Sequence, residues 1–309
     1  LKDKVSAEFW ADISHFEGNA NAFRLLTHQF SGRRHGGFVM TYATLAAIVK
    51  YPFASTLAGN HGKFGFFCSE ASTFKKIADE LGLIRLSAPG EPLHYVRHPL
   101  VYLMEAADDI CYEIMDIEDS HKLKILSFDE TTELLLGFFD KNTQTDILNR
   151  LKREGVTDEN EKIVYMRACV VGKLENECVQ AFVDHEDEIL HGTLKGTLID
   201  NISEPQRLAY KRCSEISYKR IYRSKPVLDI ELSGYKIMET LMQSLISAVV
   251  QPERFHSKQI IERVSSQYDI RSNDLETRIM AVLDYISGMT DVYALDVYQK
   301  LSGISLPIV

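Results

Sequence analysis

The sequence predicts an all-α protein, on three observations. Apolar residues recur at helical spacing along most of the 309 residues, no run alternates in the manner of strands, and glycine and proline number only 17 and 8. Phe16, Ala20, Phe23, Leu26 and Phe30 form the first stripe, and Leu103, Ala107, Ile110 or Cys111, Ile114 and Ile117 the second. The same period predicts helices over about 159–183, 204–222, 232–250 and 275–287. Ser127-Phe128-Asp129-Glu130 has the S-x-x-E form of a capping box ahead of Leu134-Leu135-Leu136. Breaks are expected in the basic, glycine-rich stretch Ser31 to Gly37 and from Ser87 through Pro89-Gly90 to Pro99. No internal repeat is visible, which argues against a solenoid.

Hydrophobic residues make up 45% and charged residues 26% of the chain, the balance of a compact globular protein. Its net charge of −9 gives no general reason to expect nucleic acid or an anionic membrane, so any anion site must be local. With neither a spanning apolar segment nor a signal-peptide pattern, a cytoplasmic protein with no membrane partner is expected. Five cysteines without C-x-x-C spacing suggest buried free thiols rather than disulfides or a thiolate zinc site.

The most informative stretch is Glu105 to Asp116. There Asp108, Tyr112 and Asp116 fall at i, i+4 and i+8, so one helix stripe carries an acid, a phenol and a second acid, with Ala107, Ile110, Cys111 and Ile114 expected opposite. On spacing alone a solvated face is the reading to favour, since a charged stripe opposite an apolar one is the norm for surface helices.

Five ordered blocks resemble the dGTPase-type deoxynucleoside-triphosphate triphosphohydrolases of the HD superfamily. They are His15-Phe16-Glu17-Gly18-Asn19-Ala20 with Arg24-Leu25-Leu26; Leu45 to Tyr51; Lys63 to Phe67 with Ser69-Glu70; Glu105 to Tyr112; and Asp284 to Tyr293. The resemblance implies a helical HD-type phosphohydrolase with a helical C-terminal portion, divided as 1–130, the remainder of the catalytic domain, and 131–309, a region packing on it and completing the nucleotide pocket. It implies hydrolysis of a dNTP to deoxynucleoside and inorganic triphosphate, aided by a divalent metal such as Mn or Mg. In that family the metal is held by a His, a His-Asp pair and a distant Asp. The resemblance places the distant Asp at Asp108, with Asp109 as the adjacent rival.

No His-Asp dipeptide occurs, and Asp184-His185-Glu186-Asp187 is read as solvated surface. The other ligands are therefore expected upstream of the first block, in a segment missing from this polypeptide, which by itself is expected to be inactive. The resemblance further implies His15 and Glu17 near the attacking water, Lys50 and Lys63 on phosphate oxygens, Tyr112 at the sugar and Asp116 at the 3′-hydroxyl. Through a looser match it implies Tyr222 and Glu231 near a guanine base. From the residues alone His15 is equally a capped core histidine, the lysines solvated, Tyr222 packing and Glu231 a first-turn helix acid.

Arg207, Lys211, Arg212, Lys219, Arg220, Arg223 and Lys225, interleaved with Tyr210, Tyr218 and Tyr222, suit single-stranded nucleic acid, a nucleotide effector, or a contact in a homo-oligomer. A solvated basic face explains them as well. The function class set against the enzyme is a catalytically silent nucleotide- or nucleic-acid-binding regulatory protein.

Overall fold

A computed structural model describes residues 1–33 and 37–304. Arg34, His35 and Gly36 of the expected basic break lie outside the described residues. The α-helices are α1 (Ala7–Ser14), α2 (Gly18–Thr27), α3 (Tyr42–Ala47), α4 (Ala71–Leu81), α5 (Pro99–Lys122), α6 (Phe128–Leu136), α7 (Lys141–Arg153), α8 (Glu159–Asp184), α9 (Glu186–Leu190), α10 (Glu204–Ile216), α11 (Lys225–Val250), α12 (Phe255–Glu262), α13 (Leu275–Ser287) and α14 (Asp291–Leu301). Among the described residues extended pairing is limited to the isolated bridges Phe53–His94, Ala54–Phe66 and Arg85–Tyr95. The all-α expectation holds.

Local chemistry sets the helix ends. The capping box forms as expected: Glu130 N–H donates to Ser127 Oγ, and Ser127 N–H donates to the Glu130 carboxylate at 2.9 Å. Two boundaries differ from the periodicity. The stretch 204–222 is α-helical only to Ile216, after which Ser217–Ile221 form a π turn. Helix α11 starts at Lys225 rather than near 232, because Pro226 fits a first turn, where its missing N–H costs nothing. Phe16 and Phe30 fall outside α2, and Phe16 is exposed.

The chain forms two compact units: one of Leu1–Met40, Ala54–Thr73 and Asp229–Val309, the other of Thr41–Phe53 and Phe74–Leu228. Both draw on sequence from either side of residue 130. In the first, α13 is buried all round from Ile279 to Ile286, a run that is apolar apart from Asp284 and the Tyr285 hydroxyl. In the second, α5 packs along α8. Tyr102, Ala106, Ile110, Ile114 and Ile117 meet a core that includes Ile163, Met166, Val170, Leu174, Cys178 and Ala181. Each fully buried aliphatic side chain in such a ladder contributes about 1.5–3 kcal/mol. Glu118 of α5 is buried beside it and accepts from Arg167 Nε of α8 at 2.7 Å, so this charge is paired.

Candidate functional site

Helix α5 carries the row singled out in the sequence. His98 caps its N-terminus, accepting from Leu100 N–H, and Pro99 opens the first turn. Ten residues on, Asp108 is exposed and Tyr112 is 66% exposed, while Asp116 is half-buried. The Tyr222 hydroxyl donates to Asp116 Oδ2 at 2.7 Å. Two residues expected at opposite ends of a nucleoside, one at the sugar and one at the base, are thus bonded to each other.

The expectation that Ala107 and Cys111 lie on the buried face is corrected: both are exposed. Facing inward instead are Glu105, at 3% exposure, and Glu113, at 8%. These carboxylates are buried because donors meet them. Glu105 receives Lys50 Nζ at 3.0 Å on one oxygen and Arg97 Nη1 at 2.8 Å on the other. Glu113 receives Ser217 Oγ and Ser214 Oγ, each at 2.8 Å. Charge satisfied in this way is tolerated in a core, whereas alanine and cysteine lose little by remaining outside.

Lys50, expected on phosphate, therefore rests on Glu105. Its own burial opposes its charge, but Glu105 outweighs that and holds its pKa above the usual lysine value. Arg97 stacks over Tyr102, its guanidinium carbon 4.2 Å from the ring centre. A cavity of about 460 Å³ opens here, lined by Lys50, Tyr51, His94, Arg97, Tyr102 and Thr197 among others. That volume is of ligand size. Asp109, the rival to Asp108, is half-buried; burial raises its carboxyl pKa while Lys50 counteracts. Its carbonyl oxygen accepts from the Tyr210 hydroxyl at 3.0 Å.

In the other unit Glu17 caps α2, accepting from the Asn19 and Ala20 N–H groups. Lys63 Nζ reaches it at 2.9 Å. Although burial works to raise the pKa of Glu17, Lys63 and Asn19 prevail and hold it below the ordinary value. Gly62, at φ +64°, takes the left-handed turn that delivers Lys63, and a Cβ there would lie 3.6 Å from His15 Cδ2. His15 and Glu17, both expected near the attacking water, do not pair: His15 is exposed rather than a capped core histidine, with Nδ1 near Ala11 O at 3.2 Å and Ser14 Oγ at 3.4 Å, and the carboxylate belongs to Lys63. The one-residue gap carries the chain from the C-cap of α1 to the N-cap of α2, which turns the two side chains apart.

Residues that the sequence reading passed over tie the blocks together. Arg24, 4% exposed, binds Asp284 through Nε and Nη2, both at 2.7 Å, and Glu70 through Nη1 at 2.5 Å. Its charge opposes the strong burial that raises the Glu70 carboxyl pKa. Three of the five blocks meet at this guanidinium, and the other two meet at the Lys50–Glu105 pair. A signal was present: an arginine, a glutamate and an aspartate set inside apolar helical stretches are rarely buried unless paired.

Glu231 is exposed on α11. The basic cluster is partly neutralised: Arg212 pairs with Glu133 at 2.7 Å, Arg220 with Glu130 at 2.6 Å and Lys219 with Glu215 at 3.2 Å. Arg223 lies over the ring of Tyr218. Asp184, Glu186 and Asp187 are exposed, as expected for surface.

Among the described residues no group of three or more His, Cys, Asp or Glu side chains is placed to hold a metal ion. A divalent ion needs about three protein ligands or more, so the residues described do not by themselves fit one. No described helix is long and apolar enough to cross a membrane.

Residues 201–300 match the phosphohydrolase-associated domain. The chain is 33% identical to a deoxyguanosinetriphosphate triphosphohydrolase-like protein of Pseudomonas aeruginosa, over 99% of this chain and 69% of the relative. It is 34% identical to one of the same name from Synechocystis, over 96% and 67%. It is 26% identical to a deoxyguanosinetriphosphate triphosphohydrolase of Yersinia enterocolitica, over 94% and 64%. With a third of its residues shared along almost its whole length, the chain belongs to the deoxyguanosinetriphosphate triphosphohydrolase-like family.

Proposed function

We propose that this chain serves the hydrolysis of a dNTP, with dGTP preferred, to deoxynucleoside and inorganic triphosphate. The observation that carries the proposal is the row Asp108, Tyr112 and Asp116 on α5, with Tyr222 bonded to Asp116, in a relative of proteins named for that reaction. Water adds to the α-phosphorus, the bond to O5′ breaks with its electron pair on oxygen, and O5′ takes up a proton. Asp116, fixed by Tyr222, accepts a hydrogen bond from the 3′-hydroxyl, and Tyr112 covers the deoxyribose. Lys50 and Arg97 share one carboxylate, which leaves net positive charge for phosphate oxygens. For the unit that holds them, His15 and Glu17 are assigned to the water, Lys63 to phosphate, and Glu231 to the base.

Asp108 is assigned as one ligand of a divalent metal whose remaining donors are not among the described residues, and no step is derived through that ion. A homo-oligomer and a nucleotide or single-stranded nucleic-acid effector at 207–225 belong to the same proposal. Arg207, Lys211 and Lys225, without ion-pair partners among the described residues, support it. A cytoplasmic location is assigned with them.

The test incubates the full-length protein with each dNTP and Mn²⁺ or Mg²⁺ and follows products by ³¹P NMR. Inorganic triphosphate is expected. Pyrophosphate or orthophosphate as the first product rejects the bond assignment, and binding of dGTP without turnover favours a silent regulatory protein.

A further inference from the structure

The Tyr222–Asp116 bond is held from a third place. The π turn Ser217–Ile221 widens the helical path after α10, with Tyr222 N–H returning to Ser217 O at 3.0 Å across five residues. One residue of helix is a rotation of about 100°, so inserting the wide turn resets the direction of every side chain after it. Tyr222 is the first residue after it. Relaxed to an α-turn, the chain would swing the Tyr222 ring roughly 100° about the helix axis, away from α5.

Wide turns are rarely kept without a specific partner. The partner here is Glu113. Its two oxygens accept from Ser214, in the last turn of α10, and from Ser217, the first residue of the π turn, which is fully buried. Burial raises the carboxyl pKa of Glu113 and the two serine hydroxyls oppose that rise. Glu113 lies three residues before Asp116, so one face of α5 both anchors the turn and receives the tyrosine the turn delivers.

We propose that Glu113 is a positioning residue: by pinning the π turn through Ser214 and Ser217 it sets the rotation that places the Tyr222 hydroxyl on Asp116. Glu113 touches no substrate. It determines how well the 3′-hydroxyl acceptor is ordered, and in that respect the inference rests on the function proposed above.

The geometric part is tested without catalysis. 3-Fluorotyrosine is placed at position 222 of the full chain and its ¹⁹F signal followed against pH, in wild type and in Asp116→Asn, Glu113→Ala and Glu113→Gln. Burial and the Asp116 carboxylate push the Tyr222 hydroxyl pKa upward, so wild type titrates late. Glu113→Ala is expected to titrate earlier, with Asp116→Asn, and Glu113→Gln, whose amide accepts from one serine and donates to the other, to stay close to wild type. A folded Glu113→Ala protein with the wild-type titration overturns the proposal. Should that variant not fold, Ser217→Ala, which removes the one bond from Glu113 to the π turn itself and leaves only the Ser214 bond to α10, takes its place with the same two outcomes.

The functional part compares dGTP with 2′,3′-dideoxyGTP. The preference for dGTP is expected to fall about tenfold, in KM rather than kcat, in Glu113→Ala and Tyr222→Phe alike, and no further in the double variant. If Tyr222→Phe leaves that preference intact while the fluorine titration behaves as expected, the sugar assignment fails and the positioning of Tyr222 stands.

Discussion

Replacing Arg24 by Met keeps most of the side-chain volume and removes the charge. Three charge-assisted hydrogen bonds disappear, two to Asp284 and one to Glu70. At about 1.5–3 kcal/mol each, simple addition exceeds 4 kcal/mol. Addition overshoots, because the two carboxylates left together, 3% and 4% exposed, need not both stay ionised. Breaking a buried ion pair from one side costs about 3–5 kcal/mol, which lowers the midpoint of thermal unfolding by roughly 10 °C.

The pH dependence identifies the mechanism. In the variant the buried carboxyls lose the cation that opposed their burial, so at least one has a folded pKa well above its unfolded value. Such a group stabilises the folded state fully below its unfolded pKa, and that stability is lost as pH rises through the folded pKa. The deficit against wild type should therefore be largest near pH 8 and shrink toward pH 5. Calorimetry of both proteins from pH 5 to 8 measures it. A deficit below about 1 kcal/mol, or one that does not change with pH, refutes the view that Arg24 neutralises two buried acids.

Asp108→Ala should abolish triphosphate release while changing stability by less than about 0.5 kcal/mol, because the side chain is exposed. Asp109→Ala should retain activity, and the reverse pattern would transfer the ligand role to Asp109. Glu17→Ala removes the α2 cap and the Lys63 partner and should cost about 1 kcal/mol at pH 7 in urea unfolding. Since the folded pKa of Glu17 is depressed, its stabilisation is present above the unfolded value and lost as pH falls through the folded one, so the gap should close between about pH 5 and 3. Glu105→Gln leaves Lys50 and Arg97 facing each other and should cost about 2 kcal/mol, while raising KM for dNTP more than it lowers kcat; a change in kcat alone would count against Lys50 as a phosphate group.

Helix positions, the Ser127 capping box and the five blocks could be read from residue order, because each depends on spacing within a few residues. Periodicity also put Asp108, Tyr112 and Asp116 on one stripe. What it could not give was the direction that stripe faces. A helical pattern states which residues share a side, and the partner decides which side is buried. Apolar content pointed to Ala107 and Cys111, yet Lys50, Arg97, Ser214 and Ser217 make burial of Glu105 and Glu113 affordable.

The same limit explains the remaining misses. Arg24 and Asp284 are 260 residues apart in the chain, and Asp116 and Tyr222 are 106 apart. Nothing in local sequence specifies such a pair, since a buried charge states only that it needs an opposite. His15 and Glu17 are neighbours in sequence and still point to different partners, because a helix cap intervenes. Order along the chain thus determined the helices and the membership of the family. The tertiary structure alone decided which charges are buried together, because hydrogen-bond partners are chosen by distances of a few ångströms that only packing brings about.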